Sequence, residues 1–382
     1  MNKVRILHVS TAHPCQDPRL AYRVIPSLAP HYDLTAALPH VSTGYRNGVD
    51  YRWLPKFRRL LFRVLVSQPF VLWYAFRLRP QLLHIYDPEL LPLARLIQLA
   101  LSIPVLYEVH ENLYKKKHEK ATNQGAVFMW LFFLFDAMAQ RRFHLIFTEH
   151  RYLDTYTNLA KPYTIIYNYP RLSFLDVFRS PYTPNQQEPI FFYIGWISFE
   201  RAIDTLVAGL VLLKKRHPLF QVHLFGERTC TDEQLKELPG FASVQNNLHF
   251  HGYADQKKAL SYTSQCTAGL ALLKAVGDYP DSYTTKMFEY MALGLPVITS
   301  NFPLYRHVVE RHQCGLCVDP TDPVQLADAL TFLIENPGQS YDMSQRGRRA
   351  VETEYNWKSE AYKLLRFYEL VFREGQQTRI QV

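Results

Sequence analysis

The chain has 382 residues, enough for two domains that each bury a core, and 48% hydrophobic with 20% charged residues excludes a disordered or fibrous protein. The formal charge of +9 is concentrated: from Arg46 to Arg79 eight arginines and lysines face one acid, Asp50. A local surplus of that kind points to an anionic surface partner, and with no base-stacking module or recognition motif beside it nucleic acid is excluded.

Val4–Ser10 predicts a buried first strand leading straight into polar residues, which does not suit a signal peptide. The loop Thr11–Arg19 follows, then a helix near Leu20–Leu28 and a second strand at Asp33–Leu38. Tyr51–Arg79 carries the basic surplus. Phe57, Leu60, Leu61, Val64 and Leu65 share one face of a predicted helix there, Arg59 and Arg63 the other, with Trp53, Pro69 and Trp73 at its flanks. Two readings stay open: shallow seating in an anionic leaflet, or a helix whose arginines are simply solvated. Leu82–Tyr86 and Pro104–Val109 are further strands, delivering Asp87 and His110 at their C-terminal ends, where α/β sites are built.

Lys115, Lys116, Lys117 and Lys120 precede the apolar run Ala126–Phe135, which falls short of the ~20 residues that span a bilayer. Burial is expected for most of it, with extension of the membrane patch as the alternative. Leu145–Thr148 and Thr164–Tyr167 end the first domain. The polar stretch 171–188, with Pro181, Pro184, Asn185, Gln186 and Gln187, reads as a connector between a domain 1–170 and a domain 189–382. The second domain restarts the strand–helix alternation: strands at Ile190–Ile194, Gln221–Phe225, Leu248–Phe250, Ala268–Leu272, Val297–Ser300 and Gly315–Val318. Helices are predicted at Ile203–His217, Pro323–Glu335 and Lys358–Phe372. Five scattered cysteines suit a reducing cytosol, and Cys314-x-x-Cys317 has no second pair to make a zinc site.

The most informative stretch is Asp281–Ser300: a polar loop, a helix from about Lys286 to Leu293, Gly294 and Pro296 as its stop, and a short strand. Thr284 or Thr285 can cap that helix. Its N-terminus is an anion site, Lys286 adds a mobile positive charge, and Glu289 one turn on can accept two hydroxyl hydrogen bonds, as a ribose diol offers. The combination suits a nucleotide diphosphate.

The pattern Thr285-Lys286-x-Phe288-Glu289-Tyr290-Met291-Ala292-x-Gly294-x-Pro296-Val297-Ile298 resembles glycosyltransferase family 4, retaining enzymes that use nucleotide sugars. Two carboxylates with seven residues between them form the family motif; Glu289 takes the second place and Asp281 the first, where many members have Glu. Gly195–Asp204 is similar to the family's G-R-x-x-x-E-K-G loop, with Arg201 at its diphosphate-binding lysine and Trp196 where many members have a second basic residue. His13-Pro14…Asp17-x-Arg19, His84-x-Tyr86-Asp87 and Tyr107-Glu-Val-His110-Glu111 resemble one subgroup.

The resemblance implies an α/β protein of the GT-B fold, two Rossmann-like domains facing each other across a cleft, the last helix able to cross back to the first. It implies His110, Asp281 and Glu289 in catalysis, Arg201, Thr285 and Lys286 on the donor diphosphate, and Arg19 and Asp87 on the acceptor side; a plain ion pair with Asp17 competes for Arg19, and one with Glu200 or Asp204 for Arg201. No Asp-x-Asp occurs, so no metal and no cofactor are expected beyond the nucleotide-sugar co-substrate. The expected function is sugar transfer to a glycan or lipid-linked acceptor in cell-envelope polysaccharide synthesis. The expected location is cytoplasmic, peripheral to the inner membrane face through Tyr51–Arg79 on the first reading above. Two rivals stand: a nucleotide-sugar 2-epimerase of the same fold, and a catalytically impaired sugar-nucleotide-binding subunit.

Overall fold

The computed structural model describes residues 3–116, 125–184 and 187–380. Lys117, Lys120, Asn185 and Gln186, named above, lie outside them. The chain divides into two α/β units, the first from residues 1–168 and 357–382, the second from 169–356.

The described residues of unit 1 hold eight strands: β1 (Arg5–Val9), β2 (Asp33–Pro39), β3 (Gly44–Arg46), β4 (Val49–Leu54), β5 (Leu82–Ile85), β6 (Val105–Val109), β7 (His144–Phe147) and β8 (Tyr163–Ile165). Their order is β3-β4-β2-β1-β5-β6-β7-β8, parallel throughout except for β3 against β4. The sheet is covered on both sides, so its strands are nearly continuous apolar runs. Along β1, Leu7 and Val9 pack into one core with the helices Gln68–Leu78 and Leu91–Leu101, while Ile6 joins the other with Leu364, Tyr368 and Val371 of the helix Trp357–Ile380.

The β3–β4 hairpin is absent from the sequence reading, which put Tyr51–Leu54 into the basic segment. Asn47 and Gly48 both have positive φ (50° and 79°), as a two-residue hairpin turn demands, and Tyr45 pairs with Asp50 across it. The rest of that segment is helical from Leu60 to Leu78. Leu61, Leu65, Trp73 and Phe76 are all exposed there, and Arg63 turns inward to Glu89 at 3.2 Å instead of joining a solvated basic face.

The expected burial of Ala126–Phe135 is overturned. The helix Ala126–Arg142 directs Phe132, Asp136, Ala139 and Gln140 inward, and the hydroxyl of Tyr114 donates to Asp136 at 2.6 Å. Val127, Trp130, Leu131, Phe133 and Leu134 remain exposed because the inward stripe at helical spacing is the one that carries Asp136 and Gln140.

Unit 2 has six parallel strands, β9 (Ile190–Ile194), β10 (Gln221–Phe225), β11 (Leu248–Gly252), β12 (Ala268–Ala271), β13 (Val297–Ser300) and β14 (Gly315–Val318), in the order β11-β10-β9-β12-β13-β14. The stretch from Arg171 carries the short helix Leu172–Leu175, and Asp176 pairs with Arg348 of the same unit at 2.7 Å. In each sheet one strand has its successor on one side and a later strand on the other: β1 between β2 and β5, β9 between β10 and β12. Loops leaving the C-terminal ends of such strands diverge and open a crevice.

Candidate active site

In unit 2 the crevice opens where β9 ends at Gly195, whose φ of 135° suits only glycine. A Cβ there would stand 3.2 Å from Lys286 Nζ and 3.6 Å from Arg201 Nη1. The turn thus leaves the room in which two cations meet. Arg201 arrives on the single turn Phe199–Arg201, and Lys286 on the first turn of the helix Thr285–Leu293.

That helix is locked to β9 by two tyrosines. The Tyr290 hydroxyl accepts from the Ile194 N–H at 3.1 Å, and the Tyr290 ring lies where any side chain at Gly269 of β12 would stand, 2.3 Å from a Cβ. Lys286 Nζ donates to the Tyr193 hydroxyl at 3.2 Å and lies 4.4 Å from that ring's centre, while the same hydroxyl donates to the Trp196 carbonyl at 2.5 Å. Lys286 is therefore buried and fixed, not the mobile charge the sequence suggested. Burial, and then Arg201, hold its pKa well below the usual lysine value, with Glu289 opposing. Burial likewise raises Tyr193 to about 12.

Thr284 occupies the N-cap with extended backbone but no side-chain cap bond; its carbonyl accepts from the Met287 N–H at 3.3 Å, and the Thr285 and Lys286 amides lie ahead of that bond. Thr285 opens the helix and Glu289 follows one turn on, half-buried, with Gln256 Nε2 3.5 Å from its Oε1. Asp281 ends the turn Tyr279–Asp281, which the Tyr305 hydroxyl pins by donating to Ser282 O at 2.9 Å. The Arg201 guanidinium lies 5.9 Å from the Tyr279 ring centre. Asp204, weighed as a partner for Arg201, is taken by Lys274 at 2.6 Å. Trp196 is half exposed. Among the described residues no cluster of three or more His, Cys, Asp or Glu is arranged for a metal ion.

In unit 1, Arg19 ends the loop that follows β1, and Asp87 and His110 follow the C-terminal ends of β5 and β6. Asp87 is buried, and its Oδ2 accepts from Ser10 Oγ (2.8 Å), Thr11 N (2.6 Å) and Ala12 N (3.3 Å), so it shapes the loop after β1. His13 on that loop bonds Asp17 Oδ2 at 3.2 Å, and its ring lies 4.7 Å from that of His110. Burial alone would lower the His13 pKa; the Asp17 bond and the charges of Asp87, Asp17 and Glu111 outweigh it and raise it to about 9. Arg19 is buried, its Nε donating to Glu108 and its Nη1 to Asn168 Oδ1 at 2.8 Å. His110 Nε2 stands 2.6 Å from Glu108 Oε1.

Tyr193 escapes the sequence reading, and Tyr290 and Glu108 stand in it only as members of motifs, with no role of their own. Glu108 left a second signal: an acid inside the apolar strand Val105–Val109. Tyr193 left none, being an ordinary core residue by pattern.

Residues 176–350 match the family model described as "Glycosyl transferases group 1". Among curated relatives, the phosphatidyl-myo-inositol mannosyltransferase of Mycobacterium leprae is 31% identical over 150 residues, 39% of this chain and 38% of that protein. The chain spans less than half the length of the curated relatives it matches first. Of solved structures, sucrose-phosphate synthase from Thermosynechococcus elongatus aligns with a TM-score of 0.73 at 17% identity, covering 97% of this chain and 100% of that one. Anabaena HepE in complex with UDP and glucose gives 0.71 at 14%, covering 96% and 99%. The fold is GT-B, as in those solved structures, and the segment carrying Arg201, Lys286 and Glu289 is the one similar to the glycosyl transferases of group 1.

Proposed function

We propose that the protein is a retaining hexosyltransferase that takes a sugar from a nucleotide-diphosphate donor. One observation carries the reading: Arg201 and Lys286 converge over the Gly195 turn, at the N-terminus of a nine-residue helix whose first-turn amides have no side-chain cap. Those groups together offset a diphosphate, and the charge load needs no metal. Glu289 accepts the donor's ribose hydroxyls, Asp281 lies toward the sugar, and Thr285 adds its N–H to the phosphate cradle. As the glycosidic bond breaks, negative charge builds on the leaving phosphate, which takes the acceptor's proton; fixed cations stabilise that charge more than the ground state. In unit 1, His110 takes a catalytic role, and the loop held by Asp87 and Arg19 forms the acceptor side.

The acceptor we favour is a lipid-linked glycan of the cell envelope, reached from an anionic membrane surface on the cytoplasmic side. The support is the exposed apolar set Leu61, Leu65, Trp73 and Phe76 beside the exposed Lys56, Arg58, Arg59 and Arg77, a composition that fits shallow seating among acidic headgroups. No helix among the described residues is long and apolar enough to cross a membrane.

Calorimetry with a panel of nucleoside diphosphate sugars in EDTA tests the donor site. Micromolar or tighter binding of at least one donor, lost in Arg201→Ala, is expected; equal affinity in that variant overturns the assignment. Donor turnover to an epimerised sugar without acceptor would favour an isomerase instead.

A further inference from the structure

Three elements of unit 1 converge on one carboxylate. Glu108 lies in β6, a strand buried along its whole length, and is itself fully buried. Arg19 Nε donates to it, His110 Nε2 is 2.6 Å from its Oε1, and His84 Nε2 of β5 is 3.4 Å from its Oε2. Behind His84, its Nδ1 is 2.5 Å from the hydroxyl of Tyr368 on the helix Trp357–Ile380.

A buried ion pair rarely stabilises a fold better than apolar residues of the same volume, so stability is a poor reason for a carboxylate here. Burial pushes the Glu108 pKa up, but Arg19, His110 and His84 outweigh it and hold the carboxyl well below its usual range. An ionised carboxylate can only accept, so every nitrogen facing it must bear a proton. The neutral His110 ring is then the Nε2–H tautomer, and Nδ1 is the nitrogen left with a lone pair. Because His110 directly follows β6, two residues beyond Glu108, the carboxylate also fixes the tilt of the ring.

We propose that Glu108, held in place by Arg19, is a positioning residue: it sets the tautomer and orientation in which His110 acts. This rests on the transferase reading above. Arg19 then acts through Glu108 and not by touching the acceptor.

Two variants test it, Glu108→Gln and the double variant Arg19→Met/Glu108→Leu, which replaces the pair with apolar groups and keeps the fold from depending on a lone buried charge. Expected are donor affinity within twofold of wild type, kcat at least tenfold lower, and, in long-range ¹H–¹⁵N spectra, a neutral His110 that is Nε2–H in wild type and mixed in the variants. A folded double variant with wild-type kcat, or a wild-type His110 protonated at Nδ1 alone, overturns the proposal. The nitrogen spectra need no turnover, so they decide the role of Glu108 even if no donor is found; absence of donor binding by wild type would sink the transferase reading instead.

Discussion

Replacing Lys286 with methionine should weaken nucleotide binding and strengthen the empty fold at the same time. Lys286 is 6% exposed, donates to Tyr193 at 3.2 Å and faces Arg201; burial first, and then Arg201, hold its pKa well below the ordinary lysine value. A diphosphate reverses that balance by supplying the missing anion. Losing one charge-assisted bond to phosphate costs about 1.5–3 kcal/mol, so Kd for the nucleoside diphosphate should rise about 10- to 150-fold. In the empty protein the side chain's folded pKa is lower than its unfolded one, so the unfolded chain holds more protons between the two values. The residue's contribution to stability therefore rises with pH through the folded pKa and is worst below it. Lys286→Met removes that penalty, and we expect a gain of about 1–2 kcal/mol at acidic to neutral pH, narrowing as pH rises. Thermal melts from pH 6 to 9 measure the second effect and calorimetry the first. A methionine variant that binds as tightly as wild type would refute the reasoning.

Gly269→Ala puts a methyl carbon 2.3 Å from the Tyr290 ring, which cannot retreat without releasing Ile194 N–H; we expect a loss of about 1–3 kcal/mol with weakened donor binding, read by denaturant titration and calorimetry. His13, with pKa raised to about 9 from 6.5 by Asp17 and Asp87 against burial, stabilises fully below about pH 6.5 and loses that contribution as pH rises through about 9. His13→Gln should flatten that fall in a Tm-versus-pH series; an unchanged slope counts against the cluster. Trp73→Ser with Phe76→Ser should cut cosedimentation with acidic phospholipid vesicles at least tenfold while leaving donor affinity alone. If wild type ignores such vesicles, the membrane reading is wrong.

Strands were easy to read because in a doubly covered sheet they are short, uniformly apolar runs between turn residues; all twelve that were expected exist, from Val4–Ser10 to Gly315–Val318. The β3–β4 hairpin was missed because its strands are amphipathic and charged, although Asn47-Gly48 is a strong turn signal. The outward apolar face of Ala126–Arg142 was misjudged because hydrophobicity reports only a preference for burial, and here Asp136 bonded to Tyr114 and Gln140 took the inner stripe. At the site, Arg201, Lys286 and Glu289 were legible as types at a spacing. What the spacing could not give was Tyr193, which turns Lys286 from a solvated cation into a buried one, or Glu108, whose significance depends on Arg19 arriving from 89 positions earlier.

Unit 1 is assembled from two stretches separated by the whole of unit 2. Trp357, Leu364, Phe367, Tyr368 and Val371 close one side of its sheet, and Tyr368 reaches His84. On the ribosome, the first 168 residues must therefore wait, with an oily seam uncovered, until the closing helix has been translated. A nascent chain stalled within unit 2 should be a chaperone client, whereas release of the finished polypeptide should end that dependence within one docking event.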